Sequence, residues 1–432
     1  MARTKDTPLR TAMSRLFPRA ALERTAREEG ALVRRRRVDP VTLLWVLLLT
    51  LDTRGQRTIA DLRRTYARVT GTRLAASAFY GRLSLAFARW VRRLVREALA
   101  ASAEAGRTGA VVADQIREIL CVDSTVIRLH DRLAKQFPAC RTHHTQAAAK
   151  LHTVINVHGR GPRSVKITSE RVHDGPVLRA GKWVLGRLLL FDLGYYRFSL
   201  FAAIGRQGGF FLTRLKDGAN PIVMRLYQGQ LGGAIPAVGL PLQEVKDRLR
   251  RKVLDAEVEV RYRTRSYAGR RRGHTLRVRL VGVRDTERGV YHWYLTNLAP
   301  EVVSAEEIGK LYGARWSIEL LFREMKSCYQ LGAIPSGKRE VMEIFLYAAV
   351  LVVLLSRALL RAVCRWGQLR IDRAPTERWA RLFVSAAPTL LTIVLDPLTM
   401  ARYREQALLR FLAAEAVDPN VNRRLLLQRA GL

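Results

Sequence analysis

Through the first 110 positions apolar residues recur at helical spacing, and the polar residues between them are mostly basic. Residues 41–51 form an apolar run after the Arg run at 34–37 and Pro40, which predicts a core helix. Residues 58–69 and 75–99 predict two further helices about the break Thr70-Gly71-Thr72. From about residue 116 the period shortens. Residues 118–123 (EILCVD), 152–158 (HTVINVH) and 164–169 (SVKITS) are β-branched runs spaced like an antiparallel meander. A helix over 177–185 then precedes LLLFD (188–192), an apolar strand of the kind buried on both faces. A helix over 193–205 and a strand over 209–215 complete the order β-β-β-α-β-α-β, which describes a mixed sheet covered by helices.

Between 217 and 300 the pattern alternates again, with strands at 256–262, 275–283 and 290–295, read as an inserted β unit laid beside the main sheet. Helical spacing returns from 306 to 330 and continues to the C-terminal region, with breaks at Pro375, Pro388 and Pro397. The apolar run 344–355 is expected to pack beneath the helix at 306–330.

Asp123 and Asp192 each fall at the C-terminal end of an apolar strand. If those strands are neighbours, the two carboxylates meet at one edge of the sheet, within reach of a shared cation. A lone Asp there is ordinarily a turn or cap residue, so the pair carries more weight than either member.

YGARWSIELLFREMK, residues 312–326, supplies a third acid. On one helical wheel Tyr312, Arg315, Glu319 and Lys326 share a stripe about 60° wide, and Arg323 falls beside it. The stripe borders an apolar face made by Leu311, Ala314, Ile318, Leu321, Phe322 and Met325. An acid among cations at a buried margin suits metal and phosphate, although surface ion pairs on an amphipathic helix give the same pattern.

Composition narrows the partners. Lys and Arg total 75 against 37 Asp and Glu, a formal charge of +38, and a chain so charged favours a polyanion such as nucleic acid. Helices about residues 70–72 then permit a helix-turn-helix with Ser77, Tyr80 and Arg82 facing DNA, a pattern that any helical bundle shares. Arg261, Arg263, Arg265, Arg270–Arg272, Arg277 and Arg279 on the inserted strands could follow a DNA backbone or simply form a solvated face. The apolar runs at 41–51 and 344–355 are shorter than the roughly 20 residues of a membrane span, and the N-terminus lacks a secretory pattern, so no membrane partner and a cytoplasmic, nucleoid-associated location are expected. Cys121, Cys140, Cys328 and Cys364 form no CxxC pair, and Cys140 with His143 and His144 is half a zinc site at most. Asp114, Asp131 and Asp174 end no buried strand and read as turn or surface acids, while Lys150 and His152 open the second strand as secondary DNA candidates.

The series Asp123, Asp192, Glu319 on this strand order, with Y-x2-R-x3-E-x6-K met at Tyr312, Arg315, Glu319 and Lys326, resembles the IS4-family DDE transposases. YHWYLTNL (291–298) resembles the family's lead-in to that helix, and the likeness spans about 116–331. It implies an α/β fold: an RNase H-like mixed β-sheet core flanked by helices, with an inserted β subdomain and helical N- and C-terminal regions. The corresponding boundaries are 1–110 (basic, DNA-binding), 111–216 (core with both Asp), 217–300 (insertion), 301–335 (core with Glu) and 336–432 (helical).

The resemblance further implies a bacterial or archaeal insertion-sequence enzyme. It would bind terminal inverted repeats and cut and rejoin double-stranded DNA at transposon ends and target. Two Mg2+ ions, or Mn2+, would be held by Asp123, Asp192 and Glu319, in a homodimeric paired-end complex. Tyr312, Arg315 and Lys326 inherit phosphate contacts. A hairpin intermediate implies a base stacked on a Trp of the last inserted strand; Trp293 is the candidate, although alignment on Leu295-Thr296 places His292 there instead, and neighbours on a strand face opposite ways. Two alternatives stay open: a catalytically inactive DNA-binding derivative, and a metal-dependent nuclease that does not rejoin ends.

Overall fold

The computed structural model describes residues 8–34, 37–51, 58–105, 115–140, 145–159, 161–228, 237–249, 252–265, 271–332, 334, 336–396 and 400–418. Arg35, Arg36, Asp114, His143, His144, Arg270 and Pro397, named above, lie outside the described residues.

The N-terminal region folds as α1 (Pro8–Leu16), α2 (Arg19–Glu28), α3 (Pro40–Leu49), α4 (Ile59–Thr70), α5 (Ala76–Tyr80) and α6 (Leu85–Ala105). Every residue of α3 except Thr42 is buried, and Asp39 starts the helix by accepting the Thr42 N–H at 2.8 Å with Pro40 in the first turn. Helix α4 opens on a capping box between Thr58 and Asp61. The helix expected over 75–99 comes as two, because the turn at Gly81 and Arg82 ends α5 and Ser84 caps α6 through the Phe87 N–H at 3.3 Å. The candidate recognition helix with Tyr80 is thus five residues long.

Nine strands form one sheet: β1 (Glu118–Arg128), β2 (Ala148–Asn156), β3 (Gly161–Ser169), β4 (Arg187–Phe191), β5 (Phe210–Arg214), β6 (Ile222–Gln228), β7 (Val253–Arg265), β8 (Arg271–Arg284) and β9 (Tyr291–Thr296). Their order is β3-β2-β1-β4-β5-β9-β8-β7-β6. β1, β2 and β3 pair antiparallel, whereas β4 and β5 run parallel to β1. This is an RNase H-like mixed sheet. The inserted strands do not form a sheet beside it: β9 pairs with β5 through Leu212↔Thr296 and Arg214↔Tyr294, so the insertion extends the sheet over an edge that would otherwise lie open. β6 escaped the sequence reading because bulges at Val223/Arg225 and Leu226/Gln228 break its two-residue period.

The remaining helices are α7 (Asp174–Val177), α8 (Phe198–Arg206), α9 (Leu242–Lys246), α10 (Ala305–Gly313), α11 (Trp316–Ser327), α12 (Arg339–Trp366), α13 (Thr376–Leu395) and α14 (Met400–Ala416). In place of the helix expected over 177–185 stand the four-residue α7 and a 3-10 turn at Lys182–Val184, since Gly175, Pro176 and Gly181 interrupt the chain there. One sheet face, with Cys121, Leu188, Leu190 and Leu212, packs into the core shared with α11–α13; the other, with Leu120, Val122, Leu189 and Phe191, packs on α8 and α9.

Helix α12 corrects one expectation. The apolar run at 344–355 sits inside a 28-residue helix with mean hydropathy 2.1 over its best 18 residues, long and apolar enough to cross a bilayer, as is α13. That α12 window is 89% buried inside the protein, against α1, α3, α6 and α13.

Candidate catalytic acid site

The parallel register Val122↔Phe191 makes Asp123 and Asp192 the next residues along neighbouring strands. β4 ends at Phe191 as expected, but Asp123 is interior to β1, which continues to Arg128 because β2 pairs with it that far. Where β4 stops, the β4 side of Asp123 is left open. Its face is that of Cys121, whose thiol donates to the Ala314 carbonyl at 3.5 Å, and so the junction of α10 and α11 lies over the acid.

That junction alters the wheel. Residues 312–326 are not one helix: α10 ends at Gly313, α11 begins at Trp316, and the N–H groups of Ala314, Arg315, Ser317 and Ile318 bond three residues back at 3.0 to 3.1 Å. Such tightened turns advance about 120° per residue, which swings Tyr312 out of the polar stripe. It is buried, and its hydroxyl donates to the Phe191 carbonyl at 3.1 Å, immediately before Asp192. Burial pushes that hydroxyl up to about 12, against the pull of Arg315. Tyr312 therefore anchors the Asp192 segment and, so engaged, offers no free hydroxyl to a phosphate.

Arg315 and Glu319 stay together. The Arg315 Nη2 is 2.6 Å from Glu319 Oε1 and its Nη1 4.0 Å from Asp123 Oδ2, with the guanidinium 5.8 Å from the centre of the Tyr312 ring. Burial raises the Asp123 carboxyl to about 6; the Ser124 N–H, 2.7 Å from Oδ1, opposes the rise, nearby Asp192 and Glu319 add to it, and Arg315 counters it. Two adjacent hard carboxylates that repel one another suit a divalent cation. Among the described residues no three metal-ligating side chains converge, and Glu319 is turned to Arg315. Arg323 and Lys326 are exposed further along α11 without ion-pair partners among the described residues, and burial together with Arg128 lowers the Lys326 ammonium.

Other candidates separate by face. Tyr294 meets Tyr312 at 5.4 Å between ring centres, so Tyr294 and His292 share the face of α10 and the acids. Trp293 points the other way, stacked on Tyr291 at 5.5 Å, with the Lys246 ammonium 5.3 Å from its ring. A Cβ on Gly282 would come within 2.5 Å of that indole. The geometry gives Trp293 a packing role. Arg279 is buried, paired with Asp255 at 2.6 and 2.7 Å, and donates to the Leu298 and Val303 carbonyls, which corrects its reading as a backbone contact. Arg261, Arg263, Arg272 and Arg277 remain exposed, as does Tyr80, and Arg82 is half-buried.

Asp174 is the residue the sequence undervalued. Instead of a surface turn it accepts the Ser124 hydroxyl at 2.8 Å and lies 3.4 Å from Lys150 Nζ and 3.3 Å from His152 Nδ1. His152 is buried, with its Nε2 2.9 Å from Thr168 Oγ1. A Cβ on Gly194, two residues past Asp192, would sit 3.3 Å from Asp174 Oδ2. Asp174 thus ties the segments that carry both acids together from behind the sheet, and it claims Lys150 and His152 for that network. Its only signal in the sequence was the recurrence of His-Asp after a strand. Asp131, by contrast, accepts the Gln146 N–H at 2.9 Å, as a turn acid does.

The sequence model of the transposase DDE domain matches residues 114–355. The transposase of insertion sequence element IS1151 from Clostridium perfringens is 32% identical over 63 residues, 15% of this chain and 13% of that protein. The transposase of IS231B from Bacillus thuringiensis subsp. berliner is 20% identical over 278 residues, 55% of each. Putative transposase y4zB of Sinorhizobium fredii is 27% identical over 220 residues, 51% of this chain and 54% of that one. The matches span about half the length of these relatives, or less. Among solved structures, the piggyBac transposase synaptic complex with hairpin DNA aligns with 97% of this chain and 87% of its own at a TM-score of 0.46 and 10% identity.

Proposed function

The chain belongs to the transposase DDE domain family, and from that premise we propose that it is the transposase of an insertion sequence, cleaving double-stranded DNA at the element's ends and joining them to a target. The observation that carries the reading is the meeting of Asp123, Arg315 and Glu319 beside Asp192, from three separate segments, on one face of the sheet.

Asp123 and Asp192 would hold Mg2+, or Mn2+ in its place, and Glu319 would complete the set by turning from Arg315. When bound, a pair of such ions activates a hydroxyl nucleophile and neutralises the charge of the phosphorane. Arg315, released from Glu319, gains a bidentate grip on the phosphate next to the cut, which Lys in its place could not reproduce. Tyr312 holds the Asp192 strand end in register, and Asp174 fixes the Asp123 and Asp192 segments from the opposite face. Lys326 and Arg323 meet the flanking phosphates. The hairpin step and a paired-end homodimer follow from family likeness. Trp293's place behind the sheet favours His292 as the group facing an extruded base.

Nicking of supercoiled plasmid carrying the element's ends, in Mg2+, tests the reading. Wild type should cleave and Glu319→Ala should lose at least about 100-fold; equal nicking by both refutes it. Cleavage without strand-transfer products would instead identify a nuclease.

A further inference from the structure

A cavity of about 390 Å³ lies where α6, the edge strand β3 and the first turn of α12 meet. Its rim carries Arg92 and Arg96, one turn apart on α6, and Arg339 at the start of α12; Phe137, Glu343 and, from β3, Val165 also line it. Arg339 pairs with Glu343 at 2.8 Å and stands 6.0 Å from the centre of the Phe137 ring. Arg92 and Arg96 have no ion-pair partner among the described residues. Cations so placed repel one another, a cost that a bound anion removes. Among the described residues no side chain caps the N-terminus of the 28-residue α12, whose first turn also carries Glu340, and the positive end of the helix dipole adds to the same cleft.

Register identifies the anion. Asp123 pairs with Thr153, and Thr153 with Val165, which lines the cleft; the three form one cross-strand row on one face. Two strand spacings, about 10 Å, separate Asp123 from that wall, less than the width of a B-DNA major groove, about 12 Å. We propose that the cleft grips backbone phosphates of the same DNA that the acid site cuts, a second anchoring point built from the N-terminal helices, the sheet edge and α12. This rests on the DNA-cleaving reading above.

The test is end-DNA affinity of the full chain across a salt series. Wild type should lose affinity steeply with salt. Arg92→Gln/Arg96→Gln should lower the slope of log affinity against log salt by about 2, and so bind up to about 60-fold more weakly at 0.1 M salt while matching wild type near 1 M. A comparison variant, Arg404→Gln/Arg410→Gln, removes equal charge from exposed positions of α14 and should keep the wild-type slope. Arg339→Gln, at the start of α12, should lower the slope by about 1 and serves if the double variant unfolds. An unchanged slope in the cleft variants, or an equal fall in the α14 variant, overturns the proposal while leaving the catalytic reading intact. A wild type with no salt-dependent DNA binding would overturn that reading itself. Calorimetric binding of pyrophosphate to wild type but not to the cleft variant, with DNA slopes unchanged, would mark a site for free phosphates and also overturn the proposal.

Discussion

Asp123→Asn should make the metal-free protein more stable, and by an amount set by pH. The Asp123 side chain is 20% exposed and its carboxyl is raised from the ordinary 3.8 to about 6, first by burial and further by Asp192 and Glu319. A raised carboxyl means that the fold prefers the protonated form. Near pH 4 the group is neutral in the folded chain and only about half ionised in the unfolded one, so it costs little. As pH rises from about 4 to about 6 the unfolded chain releases its proton first, so stability falls through that window and then levels off. The full difference is about 3 kcal/mol. Asn keeps the oxygen that accepts the Ser124 N–H and cannot ionise. Urea unfolding in EDTA should therefore find the variant equal to wild type near pH 4 and about 3 kcal/mol more stable at pH 8. Mg2+ should then stabilise wild type but not the variant. A stability difference that stays flat between pH 4 and pH 8, or a less stable variant at pH 8, would falsify the electrostatic account of this site.

Three further outcomes follow. Tyr312→Phe removes the donor to the Phe191 carbonyl, so it should cost about 1–3 kcal/mol in chemical denaturation and lower cleavage at saturating DNA; a change in DNA affinity alone would restore the phosphate-contact reading. Arg279→Met leaves Asp255 buried without its partner and should cost about 3–5 kcal/mol with no change in the salt dependence of DNA binding, as measured by anisotropy. Arg323→Ala should reduce that salt slope by about 1 without altering stability, and an unchanged slope removes Arg323 from the DNA surface.

What the sequence determined by itself was local in origin. β-Branched and apolar runs marked β1–β5, two-residue alternation marked β7–β9, helical spacing marked the terminal regions, and the place of Asp123 and Asp192 after apolar runs picked them out before any partner was known. Glu319 and Arg315 were legible because they lie one turn apart in α11 and its lead-in, a spacing that survives small changes in helix geometry. Tertiary structure decided the rest. Three-residue turns imposed by docking α10 and α11 on the sheet rotated Tyr312 from the polar stripe into the interior. Pairing of β9 with β5 merged the insertion into one sheet, and the same pairing fixed Trp293 and His292 on opposite faces. Asp174 became a hub because β3 returns it beside Ser124, fifty residues earlier in the chain. Periodicity reports which face of an element is apolar; it carries no information about which element covers that face. Register, edge pairing and helix junctions depend on contacts between distant segments, and those contacts choose which of the polar residues in this chain meet.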